Sequence, residues 1–212
     1  MSYRDLCPFA FGLEFWPEVT FYDKQVETII SVENNPETFV TAGNQLGKDF
    51  VAGFIALNTF LRCIKSGETC RILTTSVAEH HLKVLWGEIS RFLASSRYPL
   101  LAADGGPLVV NHMEIRRKSE AYIKNPLNYL AGRVSEKGEG LAGHHAEVTL
   151  LIGDEASGLD DQVYKMGQGW AKRMLFIGNP NDCQNFFRAG VQGGDVEVEH
   201  GGAVTTGNGT RD

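Results

Sequence analysis

The sequence lacks any uninterrupted apolar run close to the roughly 18 residues that a bilayer span needs, and Met1 to Phe15 lacks a basic start followed by an apolar stretch. Neither membrane insertion nor export is expected, which points to the cytoplasm. Cysteine is scarce, and Cys7, Cys63, Cys70 and Cys183 form no C-x-x-C pair. That argues against a disulfide framework or a cysteine zinc site and fits a reducing compartment. The pairs His80-His81 and His144-His145 have no Cys, His or carboxylate partners at zinc-ligand spacing nearby. A basic surplus is missing too: 20 Lys and Arg against 26 Asp and Glu leave a formal charge of -6. The chain as a whole therefore cannot grip nucleic acid by charge, and any such contact must be local.

What the 212 residues do contain is ordinary for a globular domain, with 42% apolar and 22% charged residues. That length suffices for one α/β domain with a buried sheet. The aromatic-rich opening (Phe9, Phe11, Phe15, Trp16, Phe21, Tyr22) reads as a segment packed on a core, followed by a helix with Asp23 as its N-cap and an end at Asn34-Asn35-Pro36. Thr38 to Ala42 reads as a strand leading into the glycine loop Gly43 to Lys48, with a helix from Asp49 to Ile64. Arg71 to Thr75 reads as a second buried strand, and Leu82, Leu85, Trp86, Ile89, Phe92 and Leu93 mark an amphipathic helix over 79–94. Leu108 to Tyr129 suggests two or three short strands. Val148 to Ile152 and Met174 to Ile177 are continuous apolar runs, as strands buried on both faces require. Alternation of this kind predicts a mostly parallel central sheet flanked by helices. No internal repeat is present. The domain is expected to occupy 1–189, with a glycine-rich flexible tail over 190–212.

Two segments carry chemistry. Ala42-Gly43-Asn44-Gln45-Leu46-Gly47-Lys48-Asp49 approximates the phosphate-binding pattern G-x-x-x-x-G-K-[ST], with Ala at the first glycine and Asp at the hydroxyl position. Small residues let backbone N–H groups wrap a phosphate, the next helix offers its positive end, and Lys48 reaches the terminal phosphates. The alternative is a glycine turn with a solvated lysine. Leu150-Leu151-Ile152-Gly153-Asp154-Glu155 is a buried strand ending in two acids, in which Asp154 would hold the Mg²⁺ shell and Glu155 would orient or deprotonate the attacking water. The alternative is an acidic start to a loop. In an open parallel sheet ligands bind at the carboxyl ends of strands, so both segments should face one crevice.

With these two sites in hand, the chain resembles the ATPase domain of bacteriophage large terminases. The loop Gly43 to Lys48 is similar to that family's variant phosphate loop, and Phe21-Tyr22-Asp23-Lys24-Gln25 resembles its adenine-reading segment, in which Gln25 would pair with the base edge; an exposed helical Gln is the alternative. Glu139 to Ala146 looks like the family's glycine-containing loop, and Asp154-Glu155-Ala156-Ser157-Gly158 continues as the family does. Gly178-Asn179-Pro180, with Phe186-Phe187 downstream, resembles its coupling motif; a simple turn is the alternative. The resemblance runs in family order from about 20 to 187.

The resemblance implies a P-loop NTPase fold of the additional-strand catalytic-glutamate type, with ATP and Mg²⁺ as cofactors and Asp154 as a metal ligand. It further implies double-stranded DNA as partner, a homo-oligomeric ring on a capsid portal, contacts with a small terminase subunit and portal protein, and residence in a bacterial host's cytoplasm. The alternatives are a helicase-like nucleic-acid-dependent ATPase or a catalytically degenerate nucleotide-binding module. Asp49 stands where the family has Thr or Ser; it would offer Mg²⁺ an anionic ligand, the alternatives being simple repulsion of the phosphates or a helix-start preference. Asn44-Gln45 lacks the arginine many members carry; one could come from a neighbouring subunit, with Arg133, Arg116 and Arg117 as candidates, and a solvated or salt-bridged surface arginine is the alternative for each. The nuclease domain that follows in the family is expected to be absent here, since Asp195, Glu197 and Glu199 in the tail do not make a convergent metal site.

Overall fold

The computed structural model describes residues 1–43, 46–134, 143–179, 183–193 and 206–208. In chain order the elements are α1 (Pro8–Phe15), α2 (Asp23–Asn34), β1 (Glu37–Thr41), α3 (Lys48–Ser66), β2 (Cys70–Thr75), α4 (Glu79–Ser95), β3 (Leu108–Val110), β4 (Glu114–Arg117), β5 (Tyr129–Gly132), β6 (Val148–Asp154), α5 (Asp161–Gln168), β7 (Arg173–Gly178), α6 (Phe186–Gln192) and β8 (Thr206–Asn208). The strands form one eight-stranded sheet in the order β3-β4-β5-β2-β6-β7-β1-β8. The run β5-β2-β6-β7-β1 is parallel, while β3, β4 and β8 run antiparallel to their neighbours. This is the expected mostly parallel sheet, with β7 standing as the additional strand between loop strand β1 and acidic strand β6.

The strands that read as continuous apolar runs are covered on both sides. Every residue of β6 and β7 is buried. On one face α1 to α4 close over Ile72, Leu130, Leu150, Ile152 and Leu175. Trp16 anchors this layer: its ring meets Phe92 and Phe54 at 5.1 and 5.8 Å, and its Nε1 donates to Phe92 O at 2.8 Å. The other face is narrower, with Phe39, Leu151, Met174 and Phe176 packed beneath α5 and α6.

Some sequence boundaries shift. Asp23 is the first helical residue of α2 and Tyr22 its N-cap, so the Asp23 carboxylate complements the helix dipole instead of capping the first turn. The opening segment contains helix α1, whose Pro8 occupies the position a proline tolerates best. Helix α6 continues to Gln192, past the expected boundary at 189, because Phe186 and Phe187 seat it in the core and Gly190 lies flush on the Phe39 ring, where a Cβ would approach within 2.4 Å. Residues 206–208 run antiparallel to β1. The tail acids Asp195, Glu197 and Glu199 lie outside the described residues.

Gly153, just before the acidic pair, is fixed by its neighbour. A Cβ there would sit 2.5 Å from the Phe176 ring, and Phe176 is held by stacking on Phe39 at 5.6 Å and edge contact with Phe186 at 4.7 Å. Gly153→Ala should therefore lower stability by about 1–3 kcal/mol through overpacking, read as a lower urea midpoint with an unchanged m-value.

Candidate active site

Strand β1 delivers the loop, and its first residue is tied across the sheet edge: Ala42 N donates to Gly178 O at 3.0 Å. Asn44 and Gln45 lie outside the described residues. Gly47 has φ 70, a left-handed conformation that suits glycine. A Cβ there would also sit 2.7 Å from Gln25 Nε2. Gln25 is buried at 5% exposure, not the exposed helical Gln of the simpler reading, and Tyr22 N donates to its Oε1 at 3.4 Å. The Tyr22 hydroxyl donates to Leu46 O. The start of α2 and the loop, some twenty residues apart in sequence, are thus brought together.

Lys48 opens α3 and is 9% exposed. Its Nζ donates to Asp154 Oδ1 at 3.2 Å and forms an ion pair with Glu155. The glycine loop and the acidic strand therefore meet through one ammonium, not a solvated lysine. Glu155 has φ 51 and ψ 45, a left-handed conformation that costs a non-glycine residue about 1–3 kcal/mol and that clusters at functional sites. It turns the chain off β6 and back toward Lys48.

The next turn, Ala156–Gly158, rests on the end of β7. A Cβ on Gly178 would come within 3.0 Å of Ser157 N and 3.1 Å of Ala156 N. Asn179 follows Gly178, while Pro180 lies outside the described residues. Asn185 bridges the same parts, its Nδ2 donating to Ala156 O at 2.9 Å and Leu159 O at 2.8 Å. Sequence reasoning missed Asn185, whose only signal was a polar residue just before Phe186-Phe187. It also missed Thr75 and Ser76 at the end of β2, whose hydroxyls are buried without partners; Thr75 pairs in register with Gly153.

No family model and no curated protein sequence matches the chain. Solved structures do. The ATPase domain of the Thermus phage P74-26 large terminase superposes with a TM-score of 0.60 at 13% identity, covering 89% of this chain and 76% of that one. A point variant of the same domain gives 0.59 at 15% identity, over 85% and 74%. The large terminase of bacteriophage HK97 gives 0.57 at 14% identity, over 84% of this chain and 38% of that one. The chain has the fold of a large-terminase ATPase domain.

On that terminase-type fold the charges around Lys48 do not balance. Asp49, Asp154 and Glu155 surround one ammonium. Burial disfavours the charged Lys48, but the three carboxylates outweigh it and hold its pKa above the usual value. Asp154, 3% exposed, is pushed up to about 6, by burial first; Lys48 opposes the rise and Asp49 and Glu155 add to it. Both pKa values move upward, that of Asp154 because burial and two neighbouring acids outweigh one lysine, and that of Lys48 because three carboxylates outweigh its burial. Asp49 is raised as well, by burial, and its Oδ1 is buried without a partner. Among the described residues no group of three His, Cys, Asp or Glu side chains could by itself hold a metal. An unpartnered carboxylate oxygen, surplus negative charge and one or two hard oxygen donors fit Mg²⁺, which takes its remaining ligands from phosphates and water.

The raised Asp154 pKa has a definite sign. Between about 3.8 and about 6 the folded chain binds more protons than the unfolded one, so this group's contribution to stability falls as pH rises through that window. Asp154→Asn should therefore raise the melting temperature of the protein at pH 7 without nucleotide, by about 2–4 °C per kcal/mol of relieved charge burial and repulsion. The gap from the parent should narrow toward pH 4.5. An equal or lower melting temperature at pH 7 would contradict the unbalanced charge.

Of the arginines named as candidates for action on a neighbour, two pair within the chain. Arg116 and Arg133 both pair with Glu114, Arg133 at 2.6 Å, at the antiparallel end of the sheet. Arg117 closes β4.

Proposed function

We propose that the chain is the ATP-hydrolysing motor domain of a large terminase, translocating double-stranded viral DNA into a capsid from the bacterial host's cytoplasm. The observation that carries this reading is the convergence of Lys48 with Asp154 and Glu155 where β1 and β6 end, on a terminase ATPase fold. The loop from Ala42 to Lys48 would wrap the triphosphate and Gln25 would read adenine. Asp154 and Asp49 would hold Mg²⁺, which when bound offsets charge on the phosphate oxygens.

The residues give an order of events. Lys48 pairs with Glu155. A triphosphate offers that ammonium stronger acceptors, so binding draws Lys48 off Glu155. The freed carboxylate then accepts a proton from water, whose oxygen attacks the γ-phosphorus as the bond to ADP breaks. Gly178 and Asn179, with Pro180 beyond, would pass phosphate loss to the edge of the sheet. A homo-oligomeric ring on a portal, with a small terminase subunit as further partner, would supply the arginine the loop lacks.

Phosphate release by the purified chain with Mg²⁺ tests the reading, and turnover per subunit that rises with protein concentration tests the ring. Gly178→Ala should push the turn after Glu155 and lower turnover while ATP affinity stays near the parent's. If Asp49 ligates the metal, ATP affinity should depend strongly on Mg²⁺ in the parent, lose that dependence in Asp49→Ala and keep much of it in Asp49→Thr. Metal titrations identical for all three proteins would assign Asp49 to helix-start preference alone.

A further inference from the structure

The sheet face that carries α5 and α6 is only partly covered. Gly167 of α5 lies against Leu151 and Met174, and Gly190 of α6 against Phe39, so both helices sit over β6, β7 and β1. Toward β2, β5 and β4 the same face opens into a cavity of about 450 Å³. Register makes its floor: Arg71 pairs with Tyr129, and Tyr129 with Arg116. Lys124 enters from the turn before β5, Arg133 from its end, and His144 from the approach to β6.

The lining is strongly basic for a chain of net charge -6. Among the described residues Arg71, Arg116, Lys124 and Arg133 face a single carboxylate, Glu114. Arg116 and Arg133 clasp that carboxylate, which among the described residues leaves Arg71 and Lys124 without an acidic partner. Arg71 is held in place: its guanidinium lies 5.6 Å from the Tyr129 ring centroid and its Nη1 donates to Gly143 O at 3.4 Å. Its Nε is buried without a partner. The Tyr129 hydroxyl bonds His144 Nδ1. A base cannot stack on Tyr129 from the side Arg71 covers, so the cleft presents fixed N–H donors and positive charge instead of an aromatic platform. That chemistry suits a phosphate oxygen.

We propose that this cleft is a phosphate-binding site separate from the Lys48 site, and that the phosphate is a phosphodiester of duplex DNA. The choice of DNA rests on the motor reading above, whereas the phosphate chemistry stands without it. A free phosphate or pyrophosphate offers the same oxygens, so both sources are tested.

The experiment measures binding of a fluorescent duplex over a salt series and binding of inorganic pyrophosphate by calorimetry, using the full chain without ATP. Lys124 is exposed, so Lys124→Glu should fold normally, and Arg71→Gln provides a second, polar replacement. Each lost phosphate contact should reduce the log–log salt slope by about 0.9, and Lys124→Glu should weaken duplex binding by about tenfold at low salt, since reversal adds repulsion to the lost contact. Lys48→Ala should leave duplex binding unchanged, and ATP turnover measured in parallel tests the motor reading separately. Loss of pyrophosphate binding alone in the two cleft variants would keep the site and assign it to a free phosphate. Unchanged affinity and slope for both ligands in both variants would overturn the proposal, as would failure of the parent chain to bind either.

Discussion

Replacing Glu155 by Gln is expected to lower ATP turnover by about 10²–10⁴-fold while ATP affinity is kept or improved. The two effects separate because Glu155 has two tasks. It would take the proton from the attacking water, which an amide cannot do. Its carboxylate pairs with Lys48 and would compete with the triphosphate for that ammonium, whereas a neutral amide would compete less. Lys48→Ala should behave differently. It removes the cation that would hold the terminal phosphates and leaves Asp154 and Glu155 without their shared ammonium, so affinity should fall by about 10–100-fold, as for a lost charged hydrogen bond, and turnover with it. Fluorescent-nucleotide titration and single-turnover hydrolysis read the two quantities independently. Equal, mild losses from both substitutions would contradict the assigned roles.

Much of the fold was legible because burial on both faces leaves a simple trace. Strands β6 and β7 are apolar runs of strand length, and the α4 stripe recurs at three and four residues. Their order in the sheet was a different matter. Nothing local in Met174 to Ile177 says that it lies between β1 and β6, since that depends on pairings such as Phe39 with Phe176 and Gly153 with Phe176. Only family resemblance supplied the expectation. Helix α1 was hidden because its apolar residues are too dense to show a period, leaving Pro8 as the one start signal.

At the site, the sequence exposed the residues with charge and concealed those that work by position. Lys48, Asp154 and Glu155 could be paired by a rule about strand ends. The left-handed turn at Glu155, the approach of Gln25 to Gly47 and the bridge from Asn185 to the turn after β6 have no such rule. Asp49 and Asp154 were expected together as metal ligands, but the sequence did not show that both share one buried ammonium with Glu155.

Far from that site, Glu33→Ala should cost about 3 kcal/mol of folding stability, the lower end of the range for breaking a buried ion pair, since Glu33 is itself partly exposed. Glu33 closes α2 between two arginines that are almost wholly buried, Arg62 of α3 at 1% and Arg173 of β7 at 4% exposure. It pairs with Arg62 and accepts from Arg173 Nη1 at 3.1 Å. Both guanidinium groups lie against the Tyr3 ring, at 4.9 and 5.1 Å from its centroid, and Arg62 Nη2 also donates to Tyr3 O at 3.1 Å. Arg62 Nε and Arg173 Nη2 already have no partner, so the network has no spare acceptor to take over. Removing the carboxylate leaves two cations facing each other in a poorly solvated place. Glu33→Gln should recover little, because it restores shape without charge. Replacing Glu33, Arg62 and Arg173 together by apolar residues of similar volume should recover most of the loss, because the desolvation cost of the arginines disappears with them. Urea denaturation of the four proteins reads these values, and a loss below about 1 kcal/mol for Glu33→Ala would falsify the account by showing a pair no stronger than a surface one. Turnover measured where the Glu33→Ala variant is fully folded should match the parent, since Arg173 begins the strand whose far end, Gly178, meets the turn after Glu155.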